Sequence, residues 1–213
     1  MLRNAVMLLA LVLAAAVCQA TVQTPIAPCS TVGSFDTLQS CAQSAATGSV
    51  TSMRLTAKVE CPSGGAHPCL DLSVRTAPLW VAGNADCGLH RTNYSQPLLV
   101  VTGSSKLVLS RLTFEDAPWP TCFPRLEPPG QNEAMISIGS ASGLVIKGCT
   151  FIRGHGIAMA ISSSHDIAIS SSQWLESDTF GIWADPDQLA AVSHSVHFFG
   201  NSFLRGRNNA LIG

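Results

Sequence analysis

Apolar and polar positions alternate through most of the chain, and from Leu107 onwards one alternating unit recurs four times. Every copy ends in a large aromatic residue. The copies are LVLSRLTF (107–114), LVIKGCTF (144–151), IAISSSQW (167–174) and VHFFGNSF (196–203). Alternation with a period of two predicts short β-strands with one buried face. The chain is therefore predicted to be strand-rich and repetitive.

The spacing of the copies hides a regular period. They follow one another at 37, 23 and 29 residues, and apolar residues recur eight positions beyond three of the aromatics, at Met159, Ile182 and Leu211. The corresponding strand after the first copy (136–138) comes 14 residues late, and Val196 comes 6 late. Without these two insertions the period is a uniform 23 residues. A fixed period of this size predicts stacked coils, here with three short parallel strands each.

One slot inside each copy breaks the alternation. It holds Arg111, Gly148, Ser171 and Gly200. Two glycines at one slot predict a turn with positive φ. The next residue along, Cys149, corresponds to Leu112 of the first copy, so we expect a small buried hydrophobic residue there.

Ahead of the repeat, a different period predicts one helix. Asp36 is a suitable cap for a helix over Thr37–Ala46, which Gly48 would end. Its apolar face would hold Leu38, Cys41, Ala42 and Ala45. The predicted organisation is a lead-in and capping helix over 21–49, followed by β-coils over 50–213.

Three features together resemble a known superfamily: the 23-residue three-strand unit, the amphipathic helix near 37–46, and the strand–Gly–Cys-x-Phe phrase at 146–151. The chain resembles the right-handed parallel β-helix superfamily, the pectate-lyase-like fold, over about residues 34–213. The resemblance implies an all-β, right-handed parallel β-helix whose first coil is closed by the helix. It implies no single activity, because the superfamily includes polysaccharide lyases, hydrolases, epimerases, adhesins and tail-spike proteins.

The N-terminus predicts export. Residues 1–20 contain Arg3, the apolar run Val6–Val17 and a small residue at Ala20, which is typical of a secretory signal peptide. The run is short for a bilayer span, and no later segment reaches about 20 apolar residues. We therefore expect a secreted or cell-surface protein that begins near Thr21 and has no transmembrane segment.

Seven cysteines follow the signal peptide, and an oxidising compartment favours disulfides over metal ligation. The spacing suits no zinc site. Six cysteines allow 15 pairings, and the predicted set is 29–41, 61–69 and 87–122, which uses Cys29, Cys41, Cys61, Cys69, Cys87 and Cys122.

Charge excludes one class of partner. The formal net charge is −1, only 12% of residues are charged, and no basic run occurs. Nucleic-acid binding depends on clustered Lys and Arg that neutralise phosphates, so nucleic acid is not an expected partner.

Equivalent positions in stacked coils form columns, and two such columns carry charge. Two residues past the aromatic stand Asp116, Arg153, Glu176 and Arg205, and four residues past it stand His155, Asp178 and Arg207. The functional interpretation is a polar rim around a sugar site, with His155, Asp178 and Arg207 as catalytic residues. The alternative is a solvated salt-bridge ladder, in which each exposed pair contributes ~0–1 kcal/mol.

Gly154-His155-Gly156 resembles the Gly-His-Gly motif of polygalacturonases, but the rest of that machinery is missing. The chain has no Asp-Asp pair and no Asn-Thr-Asp. Glycoside hydrolysis needs two carboxyl groups across the scissile bond. The motif therefore predicts turn glycines around an exposed His more readily than catalysis.

The two insertions, near 117–130 and 185–191, are predicted to flank one sheet and to wall a groove. Its floor would consist of outward side chains, namely Met135, Ser137, Ala158, Ala160, Trp183, Ala210 and Ile212. An exposed Trp183 beside Asp185 can stack on a sugar ring, and the alternative is a Trp covered by the insertion. Asp185 and Asp187 supply too few of the ~6–8 oxygens that calcium needs, so no metal or other cofactor is predicted.

Two further predictions concern the surface. Asn93-Tyr94-Ser95 is a glycosylation acceptor in a eukaryotic host. Residues 209–213 predict a strand within which the sequence stops, so we expect a longer protein with further coils, and the alternative is another chain that covers the open edge.

Two functions fit these features. The first is a secreted β-helix that binds or processes an extracellular polysaccharide, as a lyase or hydrolase would, with Trp183, Asp185, Arg153, Glu176 and Arg205 as substrate-binding residues. The second is a non-catalytic structural or adhesive surface protein with the coils as scaffold.

Overall fold

A computed structural model describes residues 29–62, 67–75, 77–91, 96–103, 106–116, 134–154, 157–176, 180–184, 195–204 and 211–212, without the side chains of 157, 180–184 and 211–212. This part of the chain contains one helix and seventeen strands. All strand pairings between them are parallel. The all-β class predicted from the alternation is confirmed.

The helix, α1 (Phe35–Ala46), differs from the prediction only at its start. Its N-cap is Ser34 rather than Asp36, because Ser34 has an extended backbone and its Oγ accepts from the Thr37 N–H at 3.3 Å. Asp36 instead lies in the first turn, where its charge favours the helix dipole. The four residues predicted for the apolar face are all buried. Among the described residues, no helix is long and apolar enough to cross a bilayer.

The strands form three faces, each built from one strand per coil. The first sheet contains β3 (Leu70–Leu72), β6 (Leu99–Gly103), the start of β9 (Ile136–Lys147), β11 (Ile157–Ser162), β14 (Phe180–Ala184) and β17 (Leu211–Ile212). The second contains β1 (Ser52–Arg54), β4 (Leu79–Ala82), β7 (Leu107–Ser110), the end of β9, β12 (His165–Ser170) and β15 (Val196–Phe199). The third contains β2 (Lys58–Cys61), β5 (Gly88–Arg91), β8 (Thr113–Asp116), β10 (Thr150–Ile152), β13 (Gln173–Leu175) and β16 (Ser202–Leu204).

The predicted repeat register is confirmed. In the third sheet Phe114 pairs with Phe151, Phe151 with Trp174, and Trp174 with Phe203. In the second sheet the first residues of the four copies pair in the same way. The insertions therefore lie between strands and leave the strand register unchanged.

The inward aromatics stack along the axis of the coils. Ring centroids lie 5.4 Å apart for Phe114 and Phe151, 4.8 Å for Phe151 and Trp174, and 4.7 Å for Trp174 and Phe203. Near-parallel aromatic pairs add stabilisation beyond the area they bury. Residues of all three sheets join this stack in one hydrophobic core.

The predicted turn slot has positive φ in all four copies. Gly148 and Gly200 have φ of 62° and 64°, and Arg111 and Ser171 adopt 54° and 51°. The non-glycine residues accept a backbone conformation that L side chains rarely adopt. The positive φ at this slot is therefore imposed by the stacking of the coils and does not depend on glycine alone.

Two of the three predicted disulfides are present, Cys29–Cys41 and Cys61–Cys69. The first ties the lead-in to α1, and the second joins the end of β2 to the start of β3. The predicted bond between Cys87 and Cys122 is wrong, because Cys87 is a free thiol that packs in the core at 6% exposure. Cys122 itself lies outside the described residues.

Candidate functional site

The groove predicted on the first sheet does not have the open floor expected of it. Met135 and Ala158 are fully buried, Ala160 is 2% exposed, and Ser137 is half-buried. Ala158 packs so closely on Gly154 that a Cβ at Gly154 would lie 2.6 Å from the Ala158 Cβ. The expectation of a flat exposed floor is therefore wrong at these positions, because alternation reports which side a residue faces and not what covers it.

Several predicted site residues lie outside the described part of the chain. They are Asn93, His155, Asp178, Asp185, Asp187, Arg205, Arg207 and Ala210. The backbone of Trp183 lies in β14, in register with Ala160, and its side chain is not described. The roles assigned to these residues stay predictions.

The first charged column is described at three positions. Arg153 and Glu176 follow their strands with φ of 56° and 59°, and Arg153 Nε donates to the Asp116 carbonyl oxygen at 3.0 Å. Neighbours in this column therefore touch, as expected. The Asp116 carboxylate pairs with Arg91.

A denser group of charges lies on the outer face of the third sheet. Glu60, His90 and Glu115 occupy one register position on the adjacent strands β2, β5 and β8. His90 Nδ1 lies 3.1 Å from Glu60 Oε1, while both Glu115 oxygens are bound, one by Lys58 and the other by Arg153. These five residues are here called the charged patch.

Lys58 reaches Glu115 across an intervening strand. In register, Gly88 of β5 stands between Lys58 and Thr113 of β8. Gly88 has no side chain, and an added Cβ there would lie 1.7 Å from the Thr113 carbonyl oxygen. Only glycine therefore fits this position, and the lysine crosses over β5 without obstruction.

The patch holds Glu115 in its charged form. Burial of the carboxyl raises its pKa, but the hydrogen bond from Lys58 and the positive charges of Arg153, Lys58 and His90 outweigh burial, so that the pKa lies below its ordinary value. The Glu115 side chain is 12% exposed, whereas that of Glu60 is 69% exposed. The patch thus combines one fixed carboxylate with one accessible carboxylate–imidazole pair.

A buried ion pair lies at the end of the same strands. Arg91 Nη2 donates to Asp116 Oδ2 at 3.0 Å, and Arg91 Nη1 donates to the Gln96 carbonyl oxygen. Residues 92–95 and 117–133, which follow these two strands, lie outside the described part of the chain. The pair therefore joins the last residues of β5 and β8, one position past His90 and Glu115 of the patch.

Chemically, the charged patch can bind hydroxyl-rich ligands and can transfer a proton. Carboxylates accept from hydroxyl groups, guanidinium and ammonium groups donate to them, and imidazole does both. Among the described residues, no group of three or more His, Cys, Asp or Glu side chains is arranged to hold a metal ion.

Sequence reasoning found Arg153 and missed Lys58, Glu60, His90 and Glu115. The sequence signal for the patch was the outward position one residue past the inward aromatic, which Glu115 occupies after Phe114. It was hidden because β2 and β5 place Val59 and Leu89 where later coils have aromatics, so that the repeat was not traced that far back. Comparisons with known protein families, curated proteins and solved structures found no match to this chain.

Proposed function

We propose that this chain is a secreted, right-handed parallel β-helix that binds an extracellular polysaccharide at the charged patch. The observation that carries the proposal is the row Glu60–His90–Glu115, which runs across three coils on an outer face. Successive strands lie ~4.8 Å apart, so equivalent polar groups recur at short, regular intervals. A polymer of sugar rings can meet such a row at several positions at once.

Export is supported by the predicted signal peptide and by the two disulfides, which suit an oxidising compartment. The right-handed, pectate-lyase-like form of the fold is supported by the three-strand coils, the stacked core aromatics and the helix before the first coil. Cleavage of the bound polysaccharide by His155, Asp178 and Arg207 is a separate part of the proposal.

The test is binding of the purified full-length protein to an array of acidic and neutral polysaccharides. We expect Glu60→Gln and His90→Ala to weaken binding by about tenfold, which corresponds to ~1.4 kcal/mol. His165→Ala is the control, because His165 forms a similar pair with Asp166, Nδ1 to Oδ2 at 3.0 Å, on the second sheet, where its side chain is 43% exposed against 19% for His90. Absence of binding to every polysaccharide, or binding unaffected by both patch variants, would overturn the proposal.

Turnover tests the catalytic part separately. If bound polysaccharide is cleaved, release of reducing ends or of unsaturated products should fall when His155 is replaced by Ala. Unchanged turnover would remove His155 from the mechanism without affecting the binding proposal.

A second function, a non-catalytic scaffold or adhesin, is favoured by one observation. All five patch residues have a partner within the patch, because Lys58 and Arg153 each pair with Glu115 and His90 lies against Glu60. Such internal pairing is what a salt-bridge ladder requires. Stability losses in the patch variants without any loss of polysaccharide binding would favour this function.

A further inference from the structure

The second sheet carries an exposed tryptophan on its outer face. Trp80 of β4 is 46% exposed, although a Trp side chain contributes a large apolar area that proteins usually cover. It stands at an outward position between the fully inward Leu79 and Val81. The described part of the chain leaves this side chain partly uncovered. Trp80 lies on a different face from the charged patch.

Trp80 begins a line of apolar side chains that crosses the coils. In register it is followed by Val108, Val145 and Ala168, on β7, β9 and β12. These three residues are half-buried and short, so their tops form a level surface. The four residues from Trp80 to Ala168 are here called the Trp80 stripe, and over four strands it extends for about 14 Å.

Polar groups border the stripe on one side. Two residues further along the strands, β4 has the apolar Ala82 beside Trp80, whereas the corresponding positions are polar on β1, β7 and β9, with Arg54, Ser110 and Lys147. The three side chains are hydrogen-bond donors, and Lys147 and Arg54 are exposed. The face therefore offers an aromatic ring, a flat aliphatic floor and, along one side, donors on three strands that Ala82 interrupts beside Trp80.

We propose that the Trp80 stripe is a second binding surface and that its ligand is a neutral, extended polysaccharide of flat β-1,4-linked pyranose rings. Such a ring has an apolar face of C–H groups, which fits the indole and the aliphatic floor, and an edge of hydroxyl groups, which fits the donors. The stripe itself has no charged side chain, and the bordering cations are dispersed: Arg54 and Lys147 lie on one side, three strands apart, and the exposed Lys106 lies on the other side, before β7. They do not form the clustered positive surface that a polyanion requires. This inference rests on the proposed polysaccharide-binding function and names a second face and a ligand class for it.

The test is co-sedimentation of the full-length protein with microcrystalline cellulose and with chitin, at low and at high salt. Wild-type protein should sediment at both salt concentrations, because a neutral ligand gives little salt dependence. Trp80→Ala should weaken binding about tenfold, and Trp80→Phe, which keeps an aromatic face, should retain most of it. Leu204→Ala is the matched control, because Leu204 is 52% exposed on the third sheet and away from the stripe.

Circular dichroism should show that Trp80→Ala folds like the wild type, since Trp80 packs outside the core. If the variant does not fold, tryptophan fluorescence provides a second readout. On addition of soluble cello-oligosaccharide, the wild type should show quenching and a blue shift that Trp80→Phe lacks. Wild-type protein that sediments with neither polysaccharide overturns the inference. So does sedimentation that Trp80→Ala leaves unchanged.

The remaining outcomes separate this inference from the proposed function. Loss of sedimentation in His90→Ala but not in Trp80→Ala overturns the Trp80 stripe and supports the charged patch. If the protein binds only acidic polysaccharides, and in a salt-sensitive way, the Trp80 stripe is likewise overturned and the charged patch is supported. Self-association abolished by Trp80→Ala, without sedimentation, assigns the stripe to a second copy of the chain and overturns its role in polysaccharide binding.

Discussion

Arg91 and Asp116 form an ion pair that solvent hardly reaches. The Asp116 side chain is fully buried, that of Arg91 is 4% exposed, and Nη2 lies 3.0 Å from Oδ2. Removing two charges from water is costly, and it is tolerated only where each charge stays paired and hydrogen-bonded. The Arg91 guanidinium meets this condition through Asp116 and the Gln96 carbonyl oxygen.

Breaking this pair should therefore destabilise the protein strongly. We expect Asp116→Ala to lower the free energy of unfolding by about 3–5 kcal/mol, because it leaves the Arg91 charge buried without its partner. The double variant Arg91→Met/Asp116→Leu should lose much less. Urea unfolding measures both, with Asp86→Ala at an exposed position as control. A double variant as unstable as Asp116→Ala would contradict this account.

Glu115 predicts how stability depends on acid. Its pKa in the folded protein lies below the ordinary value of 4.5, so the unfolded chain takes up its proton first as the pH falls. The stabilisation is therefore complete above pH 4.5 and is lost as the pH falls through the folded pKa. Glu115→Gln should flatten this part of the curve of unfolding free energy against pH. An unchanged acid limb in the variant would show that the carboxylate is not held by Lys58 and Arg153.

Trp174 carries a polar atom that the core does not use. Its indole Nε1 is buried, and no hydrogen-bond partner lies near it within the described structure. Trp174→Phe should therefore change the free energy of unfolding by about 1 kcal/mol or less, since removal of an unpaired donor offsets the lost volume. Trp174→Ala should cost about 3–5 kcal/mol. Equal losses in the two variants would show that the N–H has a partner after all.

Asn201 joins two coils through both ends of its amide. Oδ1 accepts from the Ser172 N–H at 2.9 Å, and Nδ2 donates to the Ile169 carbonyl oxygen at 2.8 Å. Asn201→Leu should cost about 1–3 kcal/mol, because two backbone groups lose their partners. Asn201→Asp keeps the acceptor and should fall between wild type and Asn201→Leu. Exposed Asn84→Leu serves as control, and equal stability of all variants would contradict the expectation.

The Cys149 thiol should be inert in the folded protein. Its side chain is 1% exposed, and burial raises its pKa from 9.0 to about 11. Because the unfolded thiol ionises first, stability should decline as the pH rises from 9.0 to about 11. Iodoacetamide at neutral pH should label Cys149 only after denaturation, as peptide mapping by mass spectrometry can show. Rapid labelling of the native protein would contradict its core position.

Much of the fold could be predicted because its signals are local or periodic. The strand at 144–147 and its partners were found from alternation, and the four aromatics from Phe114 to Phe203 were placed in register by counting residues. The helix face was found from 3.6-residue spacing, while its cap was misplaced by two residues. Cap choice depends on one local hydrogen bond, which Ser34 and Asp36 can both make in principle.

Less of the candidate site could be predicted. Arg153 was identified from its column, but its contact with Glu115 depends on which way a long side chain turns. The prediction that Met135 and Ala160 line an open floor was wrong, because the burial of an outward residue depends on segments distant in sequence. Cys87 was predicted to form a disulfide, and its core packing left it as a free thiol.

The sequence by itself determined the repeating coil, the inward and outward sides of its strands and the stacked aromatic core. These follow from the two-residue alternation of a strand and from a constant coil length, both of which are visible along the chain. Only the tertiary structure decided that Lys58 meets Glu115, 57 residues away, and that Arg91 and Asp116 are buried together. Such contacts run perpendicular to the strands. No local sequence pattern specifies how far these side chains reach or which segments cover them.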